Sequence, residues 1–180
     1  MPANTDRHPD SRPARGATPG RARQALALLG FLALSLAAWA LASVPIILHS
    51  PGWFAESVKA PWMPPGWMFR SMWIALYIGV AVAAWLVWRK GALTRGTLAC
   101  YIVQLVLNAG WPLTFFGLYP VLGTAALWVA FAVIAGLAVT LVFLIMRFGP
   151  VSAGAGLLVL PYFSWVVFSA SLNLYSALHN

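Results

Sequence analysis

The chain has 180 residues, of which 62% are hydrophobic and 8% charged, whereas about 25% of a soluble domain is charged. No soluble core of this size absorbs so much apolar surface, so a water-soluble globular fold is excluded and lipid is the expected solvent. The net charge of +8 does not point to nucleic acid, because the basic residues sit at the ends of apolar runs and not on one soluble face.

Residues 1–23 carry five arginines and four prolines without apolar periodicity, a composition that cannot bury enough surface to fold, so a disordered basic tail is expected. A basic stretch followed by an apolar run with Ala40-Leu41-Ala42 also has the outline of a signal peptide. The apolar run continues to Leu48, long enough to span a bilayer, and that favours a first membrane span. Asp6, Asp10 and the prolines argue against a transit peptide.

No Asp, Glu, Lys or Arg occurs between Arg23 and Glu56, from Gly96 to Met146, or from Phe148 to Asn180. A span needs about 20 mostly apolar residues. The chain therefore reads as an all-α integral membrane protein, a five-transmembrane-helix bundle. Its spans fall at 24–48, 67–88, 96–116, 121–146 and 151–178. Pro45, Pro120 and Pro150 lie near span ends, where a missing backbone donor is tolerated. Pro161 lies inside the fifth span and predicts a kink there. Nine of the eleven basic residues (Arg7, Arg12, Arg15, Arg21, Arg23, Arg89, Lys90, Arg95, Arg147) fall on one side of this topology, and Lys59 and Arg70 on the other. That bias predicts a cytoplasmic N-terminus and an external C-terminus.

The first connection, 49–66, is about 18 residues long, holds four prolines and three aromatics, and is the only long one. Aromatic rings prefer the interface or a pocket, so it is either an interfacial belt segment or a lid over the bundle.

Within the spans there are no acids, which argues against a proton pathway. Paired carboxylates for acid–base work, a clustered metal-ligand set and a phosphate-binding glycine loop are likewise missing from the sequence. Cys100 is the single cysteine and reads as a packing residue. His49 and His179 fall at span ends, either as interfacial side chains or as approaches to a haem iron. What the spans carry is neutral polar and aromatic stripes. Gln104, Asn108, Trp111 and Phe115 share one helical face, as do Tyr162, Trp165, Ser169 and Asn173, and Trp73 with Tyr77. Amides facing lipid would cost several kcal/mol, so these faces point inward. They serve either as interhelical hydrogen bonds or as the lining of an apolar pocket with a few orienting polar groups. Ala132, Gly136 and Thr140 form a small-residue ridge, suited to packing within the bundle or to a homodimer seam.

These residues resemble the TspO/MBR family. Trp53-Phe54, then Lys59-Ala60-Pro61-Trp62-Met63-Pro64-Pro65-Gly66-Trp67, is similar to its loop signature. Trp73-Ile74-Ala75-Leu76-Tyr77 is similar to the opening of its second helix. Gln104, Asn108, Trp111 and Phe115-Phe116 match its third helix, and Pro161-Tyr162, Trp165, Phe168 and Leu172-Asn173 its fifth. The resemblance implies a pocket beneath the first loop that takes a small hydrophobic ligand, a tetrapyrrole such as protoporphyrin IX or haem, with no cofactor required. Carried over by position, the pocket residues would be Trp53, Pro64, Trp73, Tyr77, Asn108, Trp111, Trp165 and Ser169. Phe54 stands where a tyrosine is usual and Ser169 where an alanine is. No Lys or Arg follows Tyr175, so the sterol-recognition pattern is incomplete, and a bacterial source is expected. The implied role is a sensor or carrier of porphyrin. The alternatives are light-dependent, Trp-assisted porphyrin breakdown, and a scaffold acting through protein partners.

Overall fold

The computed structural model of the protein describes residues 20–180. In chain order the elements are α1 (Arg21–His49), the one-turn α2 (Trp53–Glu56), α3 (Gly66–Arg89) and α4 (Arg95–Pro112), which runs into a π turn (Leu113–Gly117). The one-turn α5 (Tyr119–Leu122), α6 (Thr124–Phe148) and α7 (Ala153–His179) follow. Five of these segments are long and apolar enough to cross a membrane, the shortest being the 23 residues of Arg95–Gly117. At about 1.5 Å per residue that segment reaches roughly 35 Å, enough for the hydrocarbon core.

The predicted span limits shift where local chemistry dictates. α1 begins at Arg21, so Arg21 and Arg23 ride on a helix. The remainder of the predicted tail, 1–19, lies outside the described residues. The start of the predicted fourth span is cut off as α5 because Gly123 takes φ +57°, a left-handed backbone that only glycine adopts cheaply. α7 runs unbroken through Pro161.

The five long helices close a ring in the order α1, α3, α7, α6, α4 and back to α1. Each turns one face inward and leaves Leu, Val and Ile on the other, as at Leu41, Val106 and Val139. α1 is the most peripheral, burying only Ser35, Ala42 and Pro45. Ser35 Oγ and Tyr101 OH share a buried hydrogen bond of 2.8 Å that ties α1 to α4.

Away from the first connection the ring is solid. Val80, Ala84 and Val87 of α3, Leu141, Leu144 and Phe148 of α6, and Ala155 and Val159 of α7 are fully buried. Backbones meet closely here: a Cβ on Gly156 would sit 2.9 Å from the Gly149 Cα. The predicted small-residue ridge divides. Gly136 faces Leu107 of α4 and Cys100 Sγ contacts the Thr140 carbonyl, whereas Ala132 and Trp128 are exposed.

Candidate functional site

At the loop end the ring is hollow. A cavity of about 680 Å³ is walled by α1, the first connection, α3, α4 with its π turn, and α7; α6 lends it no side chain. Its size falls within the range of small-molecule pockets.

The α3 wall follows from helical spacing. Gly66, Phe69, Arg70, Trp73 and Tyr77 line the cavity, recurring every three or four residues and so sharing a face. α4 contributes Asn108, Trp111 and Pro112, and the π turn adds Phe115 and Phe116. A π turn rotates less per residue than an α turn, which keeps both phenylalanines on the inner side. Their rings meet edge-on at 4.8 Å. α1 supplies Trp39, Ala42, Ser43 and Ile46, and α7 supplies Leu172, Asn173 and Ser176.

Buried amides knit these walls together. Asn108 Nδ2 donates to Tyr162 OH, which donates on to Gln104 Oε1 at 3.0 Å. Trp111 Nε1 donates to Asn173 Oδ1 at 2.9 Å, and Asn173 Nδ2 to the Leu127 carbonyl at 2.9 Å. The inward orientation predicted for Gln104, Asn108 and Asn173 is what the fold adopts, and their bonds run between helices. Asn108 and Asn173 do both jobs, bonding across the bundle while lining the cavity.

Five buried polar atoms have no hydrogen-bond partner among the described residues: Trp73 Nε1, Tyr77 OH, Gln104 Nε2, Trp165 Nε1 and Ser169 Oγ. Buried polar groups are normally satisfied. Trp73 and Tyr77 belong to the cavity wall, and their polar atoms lie buried within it without a partner among the described residues.

Of the eight residues expected in the pocket, Trp73, Tyr77, Asn108 and Trp111 line this cavity, and Trp53, Pro64, Trp165 and Ser169 do not. Trp53 instead anchors the loop. It stacks on Tyr119 at 3.7 Å and donates through Nε1 to the Phe116 carbonyl at 3.2 Å. Trp165 packs behind the wall against Phe69, ring centroids 5.7 Å apart. Ser169 is fully buried, and Pro64 is half-buried just ahead of α3. The α1 residues and Phe69, Arg70 and Lys59 were not foreseen. On α1 the available signal was Trp39 with Ser43, one helical turn apart in a largely apolar span.

The first connection is pinned at two places. One is the aromatic cluster in which Phe54 meets Phe116 edge-on at 5.0 Å, beside Trp53. The other is the end of α7. Asn180 Oδ1 accepts from Val58 N at 2.8 Å, Asn180 Nδ2 donates to Val58 O at 3.1 Å, and Trp62 Nε1 donates to Ser171 Oγ at 3.3 Å. Between them Lys59 Nζ donates to the carbonyls of Phe54, Ala55 and Ser57 and lies 4.8 Å from the Phe54 ring centre. The loop is thus folded onto the bundle and forms part of the cavity wall through Phe54, Ala55, Lys59 and Met63. Neither His49 nor His179 lines the cavity; His179 Nδ1 bonds the Tyr175 carbonyl at 2.8 Å.

Comparison with known proteins agrees with this architecture. The TspO/MBR family profile matches residues 24–178. A tryptophan-rich protein TspO from Chlorobaculum tepidum is 34% identical over 129 residues, covering 67% of this chain and 75% of its own. A translocator protein from Ovis aries is 34% identical over 125 residues, covering 67% and 70%. A protein CrtK from Rhodobacter capsulatus is 31% identical over 149 residues, covering 81% and 89%. With five membrane-spanning helices and a profile match across nearly their whole extent, this chain is a multi-pass integral membrane protein belonging to the TspO/MBR family.

Proposed function

We propose that the protein binds a tetrapyrrole such as protoporphyrin IX in the loop-end cavity and acts as a porphyrin sensor or carrier in the membrane. The observation that carries this reading is the wall itself. Trp39, Phe69, Trp73, Trp111, Phe115 and Phe116 surround one space of about 680 Å³. A flat, largely apolar ring gains from such faces by burial and stacking. The amide of Asn108 on the wall supplies orientation at few points, as ligand pockets do. The loop, pinned but separable, is the element through which ligand would enter, since lids commonly gate such sites. The side carrying nine of the eleven basic residues is assigned to the cytoplasm, which puts the cavity at the outer leaflet.

The test is a titration of the purified protein in neutral detergent with protoporphyrin IX, first in darkness. Binding in the cavity should quench tryptophan fluorescence saturably and shift the porphyrin absorbance, and Trp73→Phe should weaken both changes. Absence of saturable quenching would sink the reading. Loss of the absorbance only under light would transfer the protein to the class of porphyrin-degrading activities.

A further inference from the structure

Two ionisable side chains of positive charge line the cavity, Lys59 and Arg70, and no acid does. Glu56 is the one acid among the described residues, and it is absent from the wall. The two cations are not equivalent. Lys59 has three N–H donors, and all three are committed to the carbonyls of Phe54, Ala55 and Ser57 at the end of α2. It caps that one-turn helix and holds the loop's shape. Arg70 makes no hydrogen bond or ion pair with any described residue, and it is exposed. Its guanidinium offers five donors in a planar fork matched to a carboxylate.

Its place on α3 gives this free cation a partner of definite geometry. Arg70, Trp73 and Tyr77 follow one another down one helical face of the wall. From Arg70 to Tyr77 is seven residues, about 10 Å along the helix axis. The cavity wall is therefore cationic at its exposed level and aromatic below. An apolar aromatic body would lie against Trp73 and Trp111, with an acidic group left at the level of Arg70. Unpaired positive charge beside a low-dielectric hollow also attracts anions selectively.

We propose that Arg70 is the specificity-determining residue of the cavity, selecting tetrapyrroles that carry free carboxylates over their neutral derivatives. This rests on the tetrapyrrole reading above. The alternative for an exposed arginine at this level is a membrane-interface anchor that ignores the ligand.

The experiment compares protoporphyrin IX with its dimethyl ester, which keeps the ring and removes both negative charges. Binding is read by tryptophan quenching on the full chain in neutral detergent, in darkness. The ester should bind about fivefold more weakly, the scale of one partly exposed ion pair, and added salt should narrow the gap. Arg70→Gln should bring protoporphyrin down to the ester's affinity and abolish the salt effect. Arg70→Lys should keep part of the discrimination, and Lys59→Gln should weaken acid and ester in the same proportion. Equal binding of acid and ester to the unmodified protein, or a gap that survives Arg70→Gln, overturns the assignment while the tetrapyrrole reading stands. Failure of both porphyrins to bind removes the two together.

Discussion

The two ends of this bundle are made from the same five helices and obey different packing rules. Away from the first connection, α3, α6 and α7 interlock Val, Leu, Ala and Gly with backbones in contact. At the loop end the same helices carry Trp, Tyr, Phe and amides, which are too wide and too polar to interlock. They stand apart, bridge through buried hydrogen bonds and enclose a cavity. A helix pair can be both a clamp and a wall because small side chains draw axes together while aromatic ones hold them apart. Stability should therefore concentrate in the solid end and binding in the hollow end.

The largest expected effect is in the solid end. Gly156→Ala places a methyl 2.9 Å from the Gly149 Cα, a backbone atom that cannot turn aside, so α7 must move off α6. A loss of about 1–3 kcal/mol is expected, read as a lower midpoint of thermal unfolding in detergent, with protoporphyrin affinity of the remaining folded fraction unchanged. A coupled loss of affinity would mean that the two ends are not independent.

Next comes Tyr162→Phe, which deletes the hydroxyl joining Asn108 to Gln104. Two buried amides lose a partner, at a cost of about 1–3 kcal/mol. Tyr77→Phe is its contrast, because Tyr77 OH has no partner among the described residues. It should leave thermal stability almost unchanged, and ligand affinity should fall if the hydroxyl is reserved for the ligand. Equal destabilisation by the two changes would break the division between bonded and reserved polar groups.

A smaller effect is expected from Asn180→Ala, which removes the side-chain bonds to Val58 and so weakens one of the two anchors of the loop. Porphyrin release should accelerate about two- to tenfold, the net worth of a neutral hydrogen bond, with proteolysis of 57–65 enhanced and the thermal midpoint little moved. Unchanged release would make the loop a fixed wall instead of a gate.

Much of this molecule was legible before any coordinates. Uncharged runs of span length dictate four of the five helices and the apolar stretch 67–88 the fifth, since lipid admits few other solutions for the backbone. The inward direction of Gln104, Asn108, Trp111 and Asn173 follows because an amide facing lipid goes unsatisfied. Helical periodicity likewise put Trp73 and Tyr77 on one face. Tertiary structure decided what each inward face meets. Periodicity cannot tell a cavity from a neighbouring helix, so Trp73 and Trp111 line the hollow while Trp165 and Ser169, on an equally regular stripe, lie outside the wall. Nor does local sequence reveal that α1, the most peripheral helix, closes the cavity with Trp39 and Ser43. That depends on the ring order α1, α3, α7, α6, α4, which arises from how all five surfaces fit together. The unpaired state of Arg70 among the described residues is of the same kind, because it depends on what the fold brings beside that side chain.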